Sequence, residues 1–406
     1  MEEWPNILAS EYCYNVTDGT HDSPKPVTNG RYLITSKHIK NNEIDFESAY
    51  TISENDYQKI ISRSRVNQWD IIISMIGAYC GFCYIESSNK TDYAIKNVGL
   101  FKVGDEIKCK WLYYYLTSPQ GKQQLSMLRS GSTQPYIALS SLRNLSIPVP
   151  NSDIMESIVR IMDSIDAKIK VNRQINDNLE QQIQTLYREW FIDNPKTEWA
   201  TIALSEVATF VSGYSYKGNE LVDSSETAMA TIKNFERNGG FKLDGYKPVS
   251  PSLKLKEEQH AELFDILVAH TDLTQNAEVI GNAEIILSKK SYSDVIFSMD
   301  LVKVVAKESF PYQFLLALLL KNPVFKSHCI GYVNGTTVLH MNKRALPDFN
   351  TQIPTCEDAA RMNEIAKSIF TKMSENISEI ANLTKLRDSL LPKLMSGELK
   401  INEIDC

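Results

Sequence analysis

A chain of 406 residues is long enough for two or three domains, and a composition of 43% hydrophobic and 23% charged residues excludes a disordered or fibrous protein. The net charge of −7, from 43 Lys and Arg against 50 Asp and Glu, taken alone argues against a protein devoted to nucleic acid without excluding one, because a local cationic surface needs only a few of those side chains. The apolar run FLLALLL (314–320) is far short of the roughly 20 residues of a spanning helix, and MEEWPNILAS at the start has no apolar signal core, so a cytoplasmic protein without membrane contact is expected.

In chain order, residues 1–150 read as a first globular module. Apolar or alternating runs at 70–75 and 94–103, bounded by Gly, Asn, Ser and Pro, predict strands among many loops. The loop TDGTHDSPKPVTNGRYLITSKHIK (17–40) carries His21, Lys25, Arg31, Lys37, His38 and Lys40 amid hydroxyls and amides. Lys and Arg anchor phosphates, and such polar side chains read base edges, although a loop of this composition is also ordinary solvated surface. Seven cysteines show no framework spacing. The close pair, Cys80 and Cys83 in CGFC, has no second pair at finger spacing and reads as part of an apolar strand, so no metal is expected.

Residues 151–196 predict a long helix. Asn151, Ser152 or Asp153 offers an N-cap after Pro148 and Pro150, and DNP at 193–195 is the stop. One stripe at mostly three- and four-residue steps includes Ile165, Ile169, Ile175, Leu179, Ile183, Leu186 and Trp190. Residues 197–354 form a second module with strand-like runs at 284–288 and 295–305, and SGYSYKG (212–218) presents Tyr214, Tyr216 and Lys217. A second helix, in 355–406, carries Ile369, Ile377, Leu383, Leu390 and Leu394, with Pro392 expected to kink or restart its last turn.

The chain repeats itself. GSTQPYIALSSLRNLSIPVP (131–150) aligns without a gap with GTTVLHMNKRALPDFNTQIP (335–354), an offset of 204 that also pairs Leu179, Leu186 and Trp190 with Leu383, Leu390 and Leu394. Nearer the start the offset is 195, which pairs Trp4 with Trp199 and Asp70 with Asp265. The nine-residue difference is a loop insertion. The expected fold is α+β: two duplicated modules joined by two long antiparallel helices, an intramolecular coiled coil with pseudo two-fold symmetry. The other packing is each helix on its own module.

Catalytic patterns are missing. No phosphate loop or GxGxxG is present, and the six histidines lack ligand spacing. DNPK at 193 lacks the second Pro and the aromatic of an amino-methyltransferase motif. PDF at 347 and ELK at 398 suggest a nuclease carboxylate pattern, but their first copies, RNL and NPK, carry no carboxylate. The residues read as a binding protein, with a coiled-coil scaffold for protein partners as the alternative.

The duplicated plan, DGTH near the start, the loop closing in IPVP, LYREWF ending the first helix and LRDSLLPKLMSGEL ending the second resemble the specificity subunit of a type I restriction-modification system. The resemblance covers Trp4 to about Leu399. It implies a prokaryotic, cytoplasmic, non-catalytic subunit whose modules each read half of a bipartite double-stranded DNA site in defence against foreign DNA. Its helices would set the gap and dock two methyltransferase subunits, with motor-nuclease subunits joining the complex. S-adenosylmethionine and ATP with Mg would then belong to the partners, and no cofactor to this chain. DGTH and SGSTQPY match family loops facing DNA and mark Thr20, His21, Ser132, Thr133 and Gln134. In NGTTVLH, Val338 and Leu339 replace the expected Gln and Pro, and Asn334, Thr336, Thr337 and His340 carry across. DGTH has no evident counterpart near VSGYS, which suggests that the halves read different sequences.

Overall fold

The computed structural model describes residues 4–40, 42–131, 135–336 and 338–399. The chain forms two compact units, Met1–Ala167 with Leu383–Cys406, and Lys168–Asn382. The division runs through both long helices, so each unit holds one module and a part of each helix.

In the first module, β1 (Asn15–Asp18), β2 (Asp70–Ser74), β3 (Cys83–Glu86) and β4 (Val98–Lys102) form an antiparallel sheet in the order β1-β4-β2-β3. DIIIS of β2 is buried along its whole length, which explains its unbroken apolar run. A smaller sheet sets Arg31–Ile34 antiparallel to Thr51–Ile52 and parallel to Tyr93–Ile95. The second module repeats the plan with β5 (Ala208–Ser212), β6 (Ile266–Ala269), β7 (Ala283–Ile285) and β8 (Leu301–Ala306), in the order β5-β8-β6-β7.

The two sequence offsets reappear as one set of pairings. Leu8 pairs with Ser146 as Ala203 pairs with Asn350, and Ala9 N donates to Leu145 O as Leu204 N donates to Phe349 O, at 2.8 and 2.7 Å. Each unit also buries a lysine against an aspartate and a carbonyl: Lys102 on Asp70 and Arg65 O, Lys303 on Asp265 and His260 O. Part of the nine-residue insertion has a place as well. Ile266 and its partner Ile285 are 19 residues apart, against 14 for Ile71 and Ile85, so five extra residues enter between β6 and β7.

The long helices are α1 (Ser152–Tyr187), extended by a π-helical turn Arg188–Asp193, and α2 (Cys356–Met395). Asn151 caps α1, its side chain accepting from Ile154 N at 2.9 Å. The π turn stacks Phe191 between Tyr187 and Trp199, with centroids at 5.2 and 5.0 Å, which gives LYREWF a structural role. Pro392 lies inside α2, which runs on to Met395 and stops before Gly397, whose φ is 67°.

Within the second unit the two helices are antiparallel: Asn172 Nδ2 reaches Glu379 Oε2 at 2.8 Å, and Asn176 Nδ2 reaches Met373 O at 3.1 Å. Neither proposed packing stands alone, because one cluster joins Ile183, Tyr187 and Phe191 of the first helical segment, Met362, Phe370 and Met373 of α2, and module residues such as Leu315 and Phe325. Leu179, Leu186, Trp190 and Ile369 pack against it, Ile169 is buried, and Ile377 is half-buried. In the first unit Ile165 and Leu394 are buried, and Leu383 and Leu390 are half-buried. Ile175, counted in the apolar stripe, is exposed instead; at its level the seam is made of Asn172, Asn176 and Asn376.

Each unit ties helix to module with charge. In the first, Asp163 accepts from Lys110 at 2.5 Å and from Tyr114 at 2.8 Å, while Asp166 accepts from Tyr114 and from Arg387 of α2. In the second, Lys321 sits between Glu180 of α1 and Glu284 of β7, at 3.0 and 2.6 Å. Among the described residues no helix is long and apolar enough to cross a membrane.

Candidate nucleic-acid interface

In the first module, β1 ends on DGTH. Gly19 is required because a Cβ there would collide with Ile95 O. The backbone then turns so that Thr20 N donates to Ile95 O at 3.0 Å and Thr20 bridges Lys96. His21 is exposed yet fixed, its Nδ1 at 2.9 Å from Asn97 Oδ1 and its Nε2 at 3.0 Å from Asp18 Oδ2. Asp18 is buried and also accepts from Arg63.

Beside this corner lies the turn Ser36–His38. Ser36 Oγ donates to Asn97 O at 3.2 Å, and Lys37 points its charge outward, with no ion-pair partner among the described residues. His38 faces the other way: it is fully buried, and its Nδ1 accepts from Thr35 N at 3.0 Å. Burial lowers its pKa, so it is a neutral cap and not a phosphate contact. A second turn, Gly77–Tyr79, packs against the first and joins it to the SGSTQPY segment. Gly77 N donates to Pro135 O and Ile137 N to Met75 O, both at 2.9 Å, and Ile76 bridges Tyr136. Ser132, Thr133 and Gln134 lie outside the described residues.

Thr20, His21 and Lys37 are therefore gathered, while Lys25 is exposed in the loop that follows. Arg31 is not gathered with them. It lies at the opposite end of its strand, held by Glu54 at 3.0 Å and Asp92 at 2.7 Å over the Tyr57 ring.

The second module builds the same corner, which corrects the expectation that DGTH has no counterpart. A Cβ on Gly213 would collide with Ser298 O, and Tyr214 bridges Ser298 as Thr20 bridges Lys96. The side chains differ. Tyr214 is only 3% exposed, and its hydroxyl donates to Glu220 Oε1 at 2.8 Å, so it is a core residue and not a presented contact. Tyr216 packs partly into the same small core, and Lys217 stays exposed.

Asn334 and His340 face each other across a hairpin, and His340 pairs with Thr271 at the site where Tyr136 bridges Ile76. Gly335 turns the hairpin with φ 114°. Thr336 is exposed, and its carbonyl accepts from Gln275 Nε2 at 2.6 Å; Thr337 lies outside the described residues. Gln275 belongs to the inserted loop, so the insertion falls beside the hairpin. Within the second module Asp300 links the hairpin's partner strand to the Gly213 corner by accepting from Thr271 and Ser298 at 3.1 and 3.4 Å.

The sequence reading missed Lys233. The turn Ile232–Asn234 copies Ser36–His38: Thr231 N donates to Asn234 Oδ1 at 2.9 Å as Thr35 N donates to His38 Nδ1. Lys233 is the exposed equivalent of Lys37. TSKH and TIKN, 35–38 and 231–234, carry that signal in the sequence. The interface is thus a pair of polar corners, each with one outward lysine, a glycine-tightened strand end and a hairpin. Among the described residues no group of three metal-ligating side chains is present.

Comparison with known proteins places this arrangement. The type I restriction modification DNA specificity domain matches residues 25–181. The HindI specificity subunit of Haemophilus influenzae is 26% identical over 360 residues, covering 71% of this chain and 77% of that one. The MjaIX specificity subunit of Methanocaldococcus jannaschii is 23% identical over 318 residues, covering 74% and 71%. A crystal structure of the S subunit of a type I restriction-modification system from M. genitalium shares the fold, with a TM-score of 0.56, 16% identity and 96% of each chain covered. With its duplicated modules and paired helices, the chain carries a type I restriction modification DNA specificity domain over residues 25–181 and is similar, over more than two thirds of its length, to type I restriction-modification specificity subunits.

Proposed function

We propose that this chain supplies DNA sequence recognition to a restriction-modification complex without catalysing a reaction itself. Each module reads one half of a bipartite double-stranded site, the helices α1 and α2 set the spacing, and their outer faces dock two methyltransferase subunits that motor-nuclease subunits join. The observation that carries the reading is the repeated corner. One backbone device, Gly19 with Thr20 and Gly213 with Tyr214, appears twice beside an outward lysine, and the side chains around it differ between the copies. Two copies of one frame with different polar side chains suit two different base sequences, since base edges are told apart by side-chain donors and acceptors while phosphate contacts position the frame. S-adenosylmethionine and ATP with Mg belong, in this reading, to the partner subunits.

Adenine-methylation mapping, with this chain and its methyltransferase partner in a host lacking other systems, tests it. A motif of two short halves separated by unspecified bases is expected, and exchanging residues 1–150 for another family member's should change one half only. A contiguous motif, or a chain that binds DNA without any dependence on salt, contradicts it, because phosphate contacts release counterions.

A further inference from the structure

The first module's corner carries an aromatic pair that its copy lacks. Tyr79 and Phe82 are 39% and 38% exposed, and their rings meet edge to face at 5.7 Å. The loop that holds them is rigidly built. Cys80 N donates to Gly77 O, Phe82 N to Tyr79 O, Gly81 N to Ser74 O, and Arg129 Nη2 to Cys80 O at 2.6 Å. Gly77 and Gly81 take φ of 76° and 96°, conformations that favour glycine.

The fold does not demand the aromatics. Between Ala269 and Asn282 the longer loop of the second module has no Tyr, Phe or Trp; it runs through Thr271, Asp272, Leu273, Thr274 and Gln275, with Leu273 65% exposed. The aromatic pair is thus particular to the first module. Its surroundings are those of the proposed DNA surface, because Gly77 N bonds Pro135 O in the SGSTQPY segment and the Lys37 turn packs alongside.

We propose that Tyr79 and Phe82 form an apolar plate that covers a thymine 5-methyl group in the half-site read by the first module. The inference rests on the DNA-reading function proposed above. Thymine is the base that offers an apolar group in the major groove, and apolar side chains recognise it there. A rigid pair covers a methyl group without the entropy of ordering a mobile loop.

The test measures affinity of the full chain, with its methyltransferase partner, for duplexes in which each thymine of the first half-site is replaced in turn by uracil. Covering one methyl-sized group is worth ~0.8 kcal/mol, about fourfold in affinity. One replacement should weaken binding about fourfold, and the double variant Tyr79→Ser, Phe82→Ala should bind the thymine and uracil duplexes equally. Phe82→Leu should keep most of the discrimination, and melting curves show that each variant is folded. Uracil replacements in the second half should be unaffected by these substitutions. Equal binding of every uracil duplex by the unaltered chain, a first half-site without thymine, or a penalty that survives the double variant overturns the proposal. Loss of sequence-dependent binding even on unmodified DNA would instead count against the underlying function.

Discussion

Asn376 of α2 donates its side-chain amide to Asn176 Oδ1 of α1 at 2.8 Å, and it is buried at 2% exposure. Its repeat partner, Asn172, does the reciprocal thing from α1, donating to Glu379. Buried asparagines in a helix seam set register, since a slip by one turn would leave their amides without partners. Asn376→Leu should therefore destabilise the chain by roughly 1–3 kcal/mol, the usual cost of a buried polar group left unmatched. Urea unfolding checks this, and adding Asn176→Leu should recover part of the loss, because both polar partners are then gone.

Lys321 ties the second module to α1. Burial disfavours its charge, but Glu284 and Glu180 outweigh that, and its pKa is raised. Lys321→Met removes the cation and leaves two carboxylates facing each other, so a loss of about 3–5 kcal/mol is expected. Denaturant unfolding should show it, and Lys321→Met combined with Glu180→Gln and Glu284→Gln should be more stable than Lys321→Met alone.

The Tyr214 core carries a pH signature. The hydroxyl of Ser252, followed by the amides of Lys217 and Ser252, holds the Glu220 carboxylate down to about 2. Its folded pKa is depressed, so its contribution is fully present above the ordinary carboxylate range and is lost as pH falls from about 4.5 through about 2. Thermal melts across that window should fall less steeply for Glu220→Gln than for the unaltered chain.

Lys37 and Lys233 occupy equivalent turns, while Arg31 is held by two carboxylates. If the two lysines each contact one phosphate, either alanine variant lowers the slope of log affinity against log salt by about 1, and the double variant by about 2. Arg31→Ala should leave the slope unchanged. Affinity titrations between 50 and 200 mM salt, roughly the range over which such contacts separate, decide it.

Much of the architecture was legible because duplication made each half a check on the other. The offsets of Leu8 to Ala203 and Ser146 to Asn350 became identical strand pairings, and the unbroken DIIIS run became a fully buried strand. The asparagine seam was hidden because a search for apolar periodicity passes over polar residues and then counts Ile175, which is exposed. Tyr214 misled for a related reason: a tyrosine among Ser and Gly reads as surface until Glu220 and the small core beneath it are seen. Lys233 was legible in the pair TSKH and TIKN and was passed over, whereas Gln275 needed three dimensions, since it lies in the inserted loop that the repeat does not align.

The central claim, one polypeptide holding two readers at a set separation, is tested most directly by lengthening the spacer. Inserting one helical turn, about four residues, in both α1 and α2 and mapping methylated adenines in cells carrying that chain isolates the spacing from the reading. The account predicts the same two half-sequences with a changed number of unspecified bases between them. An unchanged gap together with an altered half-sequence would contradict it.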